Sequence, residues 1–420
     1  MKIMSEQEVA NFLNQKDYDV RKSNNARWID QKCTPDVCCI IADCILNFVS
    51  ESGKTSFTSR DVWFSNYSVQ NVQSIFRKVD VESESATSEY DKFFQQPMKL
   101  FAYAGILNET KNGRENIFTI ADSEILSYIA LAERYALKFL QLYIEKVLND
   151  SGLLTVFNDF YKSPNKANFE KVKEGFYQFT IKYTSIGSRT SKFNSSDRPS
   201  YTECGRIFTK IINPLAFKNN SYGTERGHLS RRRITYDMLM YNRDNFRDIY
   251  SEKPRDMARR DYERSIDFKP NVRFFAYQSA KAKQFIKVYN LQFRNGLSEV
   301  LDGQELSAPA THRHHIFPES EFPTISYYYE NIIALTPNQH LVNAHPMGRT
   351  NAIDTHYQHQ CLVAKADRIK ENIETSSLET IYSFGKFLFV INVGLNDESY
   401  LQVEDGDYTG VKAKLAASYA

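Results

Sequence analysis

Seven of the eight histidines in this 420-residue chain fall between His312 and His359. Imidazole serves both as a neutral metal ligand and as a proton acceptor near pH 7. Such a concentration therefore points to metal binding, acid–base chemistry or both. The densest text, THRHHIFPESEFPTISYYYENIIALTPNQHLVNAHP from Thr311, parses as strand (THRHHIF), loop, strand (NIIALT) and helix (PNQHLVNAH). In that arrangement one strand presents a base and a ligand, and the helix returns a second ligand across a short distance. Neighbouring strand residues point to opposite faces. His314 and His315 can then both meet a metal only if the strand bends; otherwise the base works on the other side of the substrate.

The stretch resembles the HNH, or ββα-metal, nucleases. Their pattern is an Asp-His or His-His pair, Ile-x-Pro, Asn-Ile or Asn-Leu, and a final His. Here it reads His314-His315-Ile316-Phe317-Pro318, then Asn331-Ile332, then His340, with nine positions from Asn331 to His340 and sixteen from His315 to Asn331. The resemblance implies His315 as general base, His314 and His340 as metal ligands, and Asn331 as the residue that holds the base in register. It implies one divalent ion, Mg²⁺ first, with Mn²⁺ or another transition metal suited to imidazole ligands. Relatives that insert a zinc ribbon carry Cys-x-x-Cys before the last His; here those positions are Thr336 and Gln339, so no structural zinc is expected. His345 is a rival to His340 as ligand, or a phosphate contact. His312, His356 and His359 lie outside the motif and read as surface or helix residues.

An arginine-rich stretch precedes the histidines. Arg231, Arg232, Arg233, Arg243, Arg247, Arg255, Arg259, Arg260 and Arg264 alternate with Tyr and Asn. Guanidinium forks suit phosphates and guanine edges, whereas the interleaved acids would suit a solvated, salt-bridged face. The reading favoured is DNA contact. Net charge is only +2, from 53 basic and 51 acidic residues, so any DNA-binding face must come from local clustering. No 18-residue apolar run or secretory leader is evident, and six cysteines make no disulfide framework, so a cytoplasmic protein is expected. Cys33, Cys38, Cys39 and Cys44 read as small core residues on a helix.

The elements that must position the site suggest an α+β, mostly helical chain. Helices are expected over 35–50, from Arg60 after a Ser59 cap, over 67–78 and over 90–104, with Pro97 as a kink or boundary. The text GILNETKNGRENIFTIA predicts a hairpin. Together these suggest a winged-helix-like DNA-recognition domain over 1–122. A helical central region over 123–298 follows, including one long helix from Ile125, a loop over 184–202 and helix over 270–298. The ββα-metal module with flanking helices (353–373 and 378–393) spans 299–395, and an acidic mobile tail covers 396–420. This layout is similar to HNH-type bacterial type II restriction endonucleases, which implies double-stranded DNA as substrate, a homodimer and a partnering methyltransferase. Two alternatives stand: a DNA-binding regulator with a structural ββα unit, and a nuclease directed at modified DNA.

Overall fold

The computed structural model describes residues 2–76, 78, 81–82, 86–186, 199–241, 272–301, 308–345, 353–375 and 379–420. The chain divides into two compact units, Ile3–Lys269 and Pro270–Ala420. It is mostly helical with three small sheets, in keeping with the expected α+β class. No described helix is long and apolar enough to cross a membrane.

The first unit is organised on the Pro35–Ser52 helix. Pro35 opens it at a position where no backbone N–H is needed. Its apolar residues are buried nearly all round, and Cys33, Cys38, Cys39 and Cys44 lie in that core. Strand β1 (Ser56–Phe57) pairs with β3 (Glu115–Ile120), which pairs with β2 (Leu107–Asn112), in the order β1-β3-β2. The predicted hairpin is present, with a two-residue turn opened by Gly113 at φ 61°. Helices Ser59–Trp63, Asn66–Phe76 and Ala86–Ala104 lie between β1 and β2. The first of these is capped by Thr58 rather than Ser59, in a reciprocal capping box with Asp61. Ala86–Ala104 runs on through Pro97.

The expected single long helix is two, Ser123–Leu131 and Glu133–Asp150, broken at Ala132 in extended conformation (φ −160°, ψ 150°). Both halves pack on the Pro35–Ser52 helix. The bend keeps both apolar faces on one partner, a tertiary reason that leaves no Gly or Pro in the text. Beyond them, Phe208 of the Pro199–Lys218 helix meets Phe157, Phe169 and Phe176 at 5.6–6.1 Å. Strands β4 (Tyr222–Glu225) and β5 (His228–Arg233) form a second hairpin.

A buried polar cluster ties the end of this segment down. Lys32 and Lys78 each donate to the Tyr241 hydroxyl (2.6 and 2.7 Å), both pair with Glu89, and the Tyr241 N–H donates to Asp36 (2.7 Å). Burial pushes the Glu89 carboxyl up, but Lys32 and Lys78 outweigh it and bring it down to about 2. Its stabilisation is therefore present above the ordinary carboxyl value of 4.5 and is lost as pH falls towards about 2. Glu89→Gln should cost about 2 kcal/mol, less than a fully buried pair because a third of Glu89 is exposed. It should also flatten that acid limb. Both tryptophans, Trp28 and Trp63, lie in this unit, so their fluorescence in urea titrations from pH 5 to pH 2.5 reads the effect.

The second unit begins with the Val272–Phe293 helix. Strands β6 (His312–His315) and β7 (Ile332–Leu335) pair antiparallel, His314 opposite Ile333 and His315 opposite Ile332. Every residue of β7 is buried. Helices Thr355–Glu374 and Phe384–Leu395 follow. Gly394 sits where a Cβ would come within 2.4 Å of the Phe317 ring, so the bare backbone is what lets that ring pack. The tyrosine run packs as well: Tyr329 stacks on Phe285 at 4.5 Å, Tyr327 meets Phe274 and Phe275, and Tyr328 meets Phe389. The tail expected to be mobile is instead structured. A 3-10 turn (Glu398–Gln402) and the Tyr408–Ser418 helix fold back, joined by Tyr400–Ser418 and Tyr419–Gln358 hydrogen bonds. Apolar anchors among the acids, Tyr400, Val411 and Leu415, account for this.

Candidate functional site

The histidine site lies wholly within the second unit. Strand β6 alternates, so His312 and His314 share one face while Arg313 and His315 share the other. On the first face, His314 meets His340 and His345, with ring centroids 5.2 and 5.0 Å away, and those two are 4.8 Å apart. One nitrogen from each of the three lies within 4.8 Å of the others, and among the described residues this is the group that could hold a metal ion. His345 thus lies beside His314 as His340 does.

The local backbone explains how. The turn carrying His340 is a π-helix, Gln339–Ala344, with His345 at its C-terminal cap. Residues five apart lie about 140° apart around an α-helix, which would turn one imidazole away. The wider π turn, with its i→i+5 spacing, brings them back to one side. The start of that turn is closed by Thr336 and Gln339, the positions where zinc-ribbon sequences place cysteines. The Gln339 N–H donates to Thr336 Oγ1 (3.2 Å), and the Thr336 N–H donates to Gln339 Oε1 (3.0 Å). This reciprocal pair has the form of a capping box. Ser298 donates to the same Gln339 oxygen (2.6 Å), and Gln339 Nε2 donates to the Val300 carbonyl (3.0 Å). The flanking segment also fixes β7. The Glu299 N–H donates to the Ala334 carbonyl, and its carboxylate accepts from the Ala334 N–H and from the fully buried Lys365 (2.6 Å).

Electrostatics suit His314 and His340 to a cation. Burial, and then the neighbouring His340 and His345, push His314 down to about 2; burial, His345, His312 and Lys283 push His340 down to about 4. Both are therefore neutral near pH 7, the form that ligates metal. His340 Nδ1 is buried and has no hydrogen-bond partner. A buried lone pair or N–H left unmatched costs free energy, and a bound ion would remove that cost. Three imidazoles favour a borderline transition metal over Mg²⁺, which prefers oxygen ligands. His312, which sequence reasoning set aside, stacks on His340 at 4.7 Å. Its i, i+2 spacing from His314 was the available signal.

On the opposite face, the His315 Nε2 lies 2.8 Å from the Ser326 carbonyl. A carbonyl can only accept, so Nε2 carries the proton and Nδ1 keeps the lone pair. Nδ1 lies 3.7 Å from Glu319 Oε2. The buried Ser279 hydroxyl donates to Glu319 (2.9 Å) and lies 3.2 Å from the His315 Nε2. Burial and Lys283 hold His315 down at about 4, against the opposing Ser326 contact, so the ring is neutral near pH 7.

Asn331 does not touch the imidazole. Its side chain accepts from the Phe317 N–H (2.9 Å) and donates to the Phe317 and Ile325 carbonyls (3.0 and 3.3 Å). It holds the loop that brings Ser326 to His315. Arg231, Arg232 and Arg233 lie exposed on β5, in the first unit. Arg243, Arg247, Arg255, Arg259, Arg260 and Arg264 fall outside the described residues. His356 and His359 sit on the Thr355–Glu374 helix, His359 stacked on Tyr419 at 5.2 Å.

No family model, curated protein or solved structure matches this chain.

Asn331→Ala would strand two backbone groups of Phe317 and open a cavity at a fully buried position. A cost of about 2–3 kcal/mol is expected for the 316–326 loop. Native-state hydrogen exchange should show the Phe317 amide exchanging about 30-fold or more faster. The Cys361 and Leu362 amides, on the neighbouring helix, should change less.

Proposed function

We propose that this chain is a metal-dependent DNA endonuclease of the HNH, or ββα-metal, type. The observation that carries the reading is the placement of a three-imidazole cluster and a neutral, oriented His315 on the two faces of one four-residue strand. A divalent ion held by His314, His340 and His345 would supply Lewis-acid stabilisation of charge on the phosphate and the leaving 3′ oxygen. The chain's own residues supply the rest. The Ser326 carbonyl fixes the tautomer of His315. His315 Nδ1 takes the proton from the water whose oxygen attacks phosphorus, and the bond from phosphorus to the 3′ oxygen breaks. Glu319, 3.7 Å from that nitrogen, stabilises the imidazolium that results.

The donor set shifts the expected metal. Mn²⁺ or another transition ion fits three imidazoles better than the Mg²⁺ expected first. Support for target recognition comes from the first unit. Its β1-β3-β2 sheet, with helices between β1 and β2 and an exposed hairpin, is the order a winged-helix domain would have. The arginines of β5 are exposed for phosphate contact. The fuller reading is a restriction enzyme: a cytoplasmic homodimer cutting both strands at a specific site, with a methyltransferase in the same system. The same features support a second reading, a DNA-binding regulator, and cleavage separates the two. A nuclease directed at modified DNA would cut methylated substrate in preference to unmethylated.

The test is incubation with plasmid DNA in Mg²⁺, Mn²⁺, Ni²⁺ or Co²⁺, read as linear or nicked product. Parent chain is expected to cut. His315→Ala should lose cutting by at least about 100-fold, the scale of general-base catalysis, while binding Mn²⁺ as parent does in calorimetry. His314→Ala and His340→Ala should lose both. A parent chain that leaves DNA intact in every metal, or a His315→Ala variant that still cuts, contradicts the reading.

A further inference from the structure

Among the described residues, the positive charge on the His315 face of β6 is only partly paired. Arg313 lies on that face, two residues before His315 and half-buried. Among the described residues its guanidinium has neither an ion pair nor a hydrogen bond. Lys283 lies one helical turn after Ser279, the residue that reaches both His315 and Glu319. Its side chain is 36% exposed, and among the described residues its ion pair is with Glu319 at 3.9 Å, the limit of such a pair. Glu319 already accepts from Ser279 and faces His315. Among the described residues, one carboxylate thus pairs with Lys283 and none with Arg313.

The Arg313 charge also bears on Lys283. Burial lowers Lys283, Glu319 opposes that, and Arg313 lowers it further; burial alone lowers Arg313. The charge on Lys283 reaches His314, His315 and His340 as well. Like charges held together while partly desolvated are unfavourable unless an anion joins them. A guanidinium and an ammonium, each carried by an element that meets His315, suit phosphate oxygens, the first as a fork and the second as a point charge.

We propose that Arg313 and Lys283 form a phosphate-binding site beside His315, taking a backbone phosphodiester of DNA. The assignment rests on the nuclease reading for its choice of ligand, and it adds the groups that bring the phosphate to the base. Arg313 follows the strand, so its register relative to His315 is fixed by the β6–β7 ladder. Lys283 is carried by a rigid helix through the Ser279–Glu319 contact. Neither cation depends on the three-imidazole face, so the site would engage DNA without a divalent ion.

The test uses the full chain carrying His315→Ala, so that binding is read without cleavage, in EDTA. A fluorescein-labelled 24-base-pair duplex is titrated from 50 to 300 mM KCl. Arg313→Gln and Lys283→Gln are each expected to weaken binding several-fold and to lower the slope of log Kd against log salt by about one, as loss of one phosphate contact does. Lys283→Arg keeps the charge and should keep the slope. Circular dichroism melts identify any variant that has lost its fold, and Arg313→Lys then stands in as the charge-keeping control. Inorganic phosphate at 10 mM, against chloride of equal ionic strength, should not displace the duplex. Unchanged slopes in both glutamine variants overturn the proposal. So does displacement by inorganic phosphate, which would mark a small-anion site, or the absence of duplex binding at 50 mM KCl. Cutting by the parent chain together with unchanged slopes would reject this site alone. Altered slopes with no cutting in any metal would reject the nuclease reading alone.

Discussion

Side-chain alternation along β6 is the constraint on which the site depends. Four residues, His312 to His315, send imidazoles to two faces of one strand, and antiparallel pairing with β7 sets which face each takes. A one-residue slip would exchange the faces. His315 would then turn to the cluster and His314 to Ser279 and Ser326. A slip would also break the close packing of the four buried side chains of β7.

The surroundings hold that register with polar groups placed where apolar packing would be less specific. Glu299 and Lys365 form a buried ion pair whose carboxylate also accepts from the backbone of β7. Burying two charges is costly, and the added hydrogen bonds offset part of that cost. Gln339 and Thr336 close the turn before His340, and Asn331 fixes the loop behind His315. The turn so closed leads into the π-helix that carries His340 and ends at His345.

Much of this was legible in residue types and spacing. The Pro35–Ser52 helix, the β2–β3 hairpin, the two strands of the site and the Thr355–Glu374 helix all lie where patterning places them. His314 and His340 were legible as candidate ligands. What escaped was tertiary or backbone in origin. A π turn has no signature in residue type, so His345 read as a competitor of His340 rather than its companion. The group that orients His315 is the Ser326 carbonyl, which any residue would supply. Ser279, Lys283 and Glu319 come from a helix and a loop whose meeting the text does not announce. Ala132 breaks a helix only because its two halves pack on one partner, and the tail folds because a few apolar residues outweigh its acids.

The central claim is that three imidazoles on one face of β6 bind a metal while His315, on the other, stays free of it. Anomalous diffraction from crystals grown with Mn²⁺ tests this most directly. The account predicts one strong peak bounded by nitrogens of His314, His340 and His345, with the His315 ring still on the Ser326 carbonyl. A site without a peak in saturating metal, or a peak with His315 among its ligands, would contradict it.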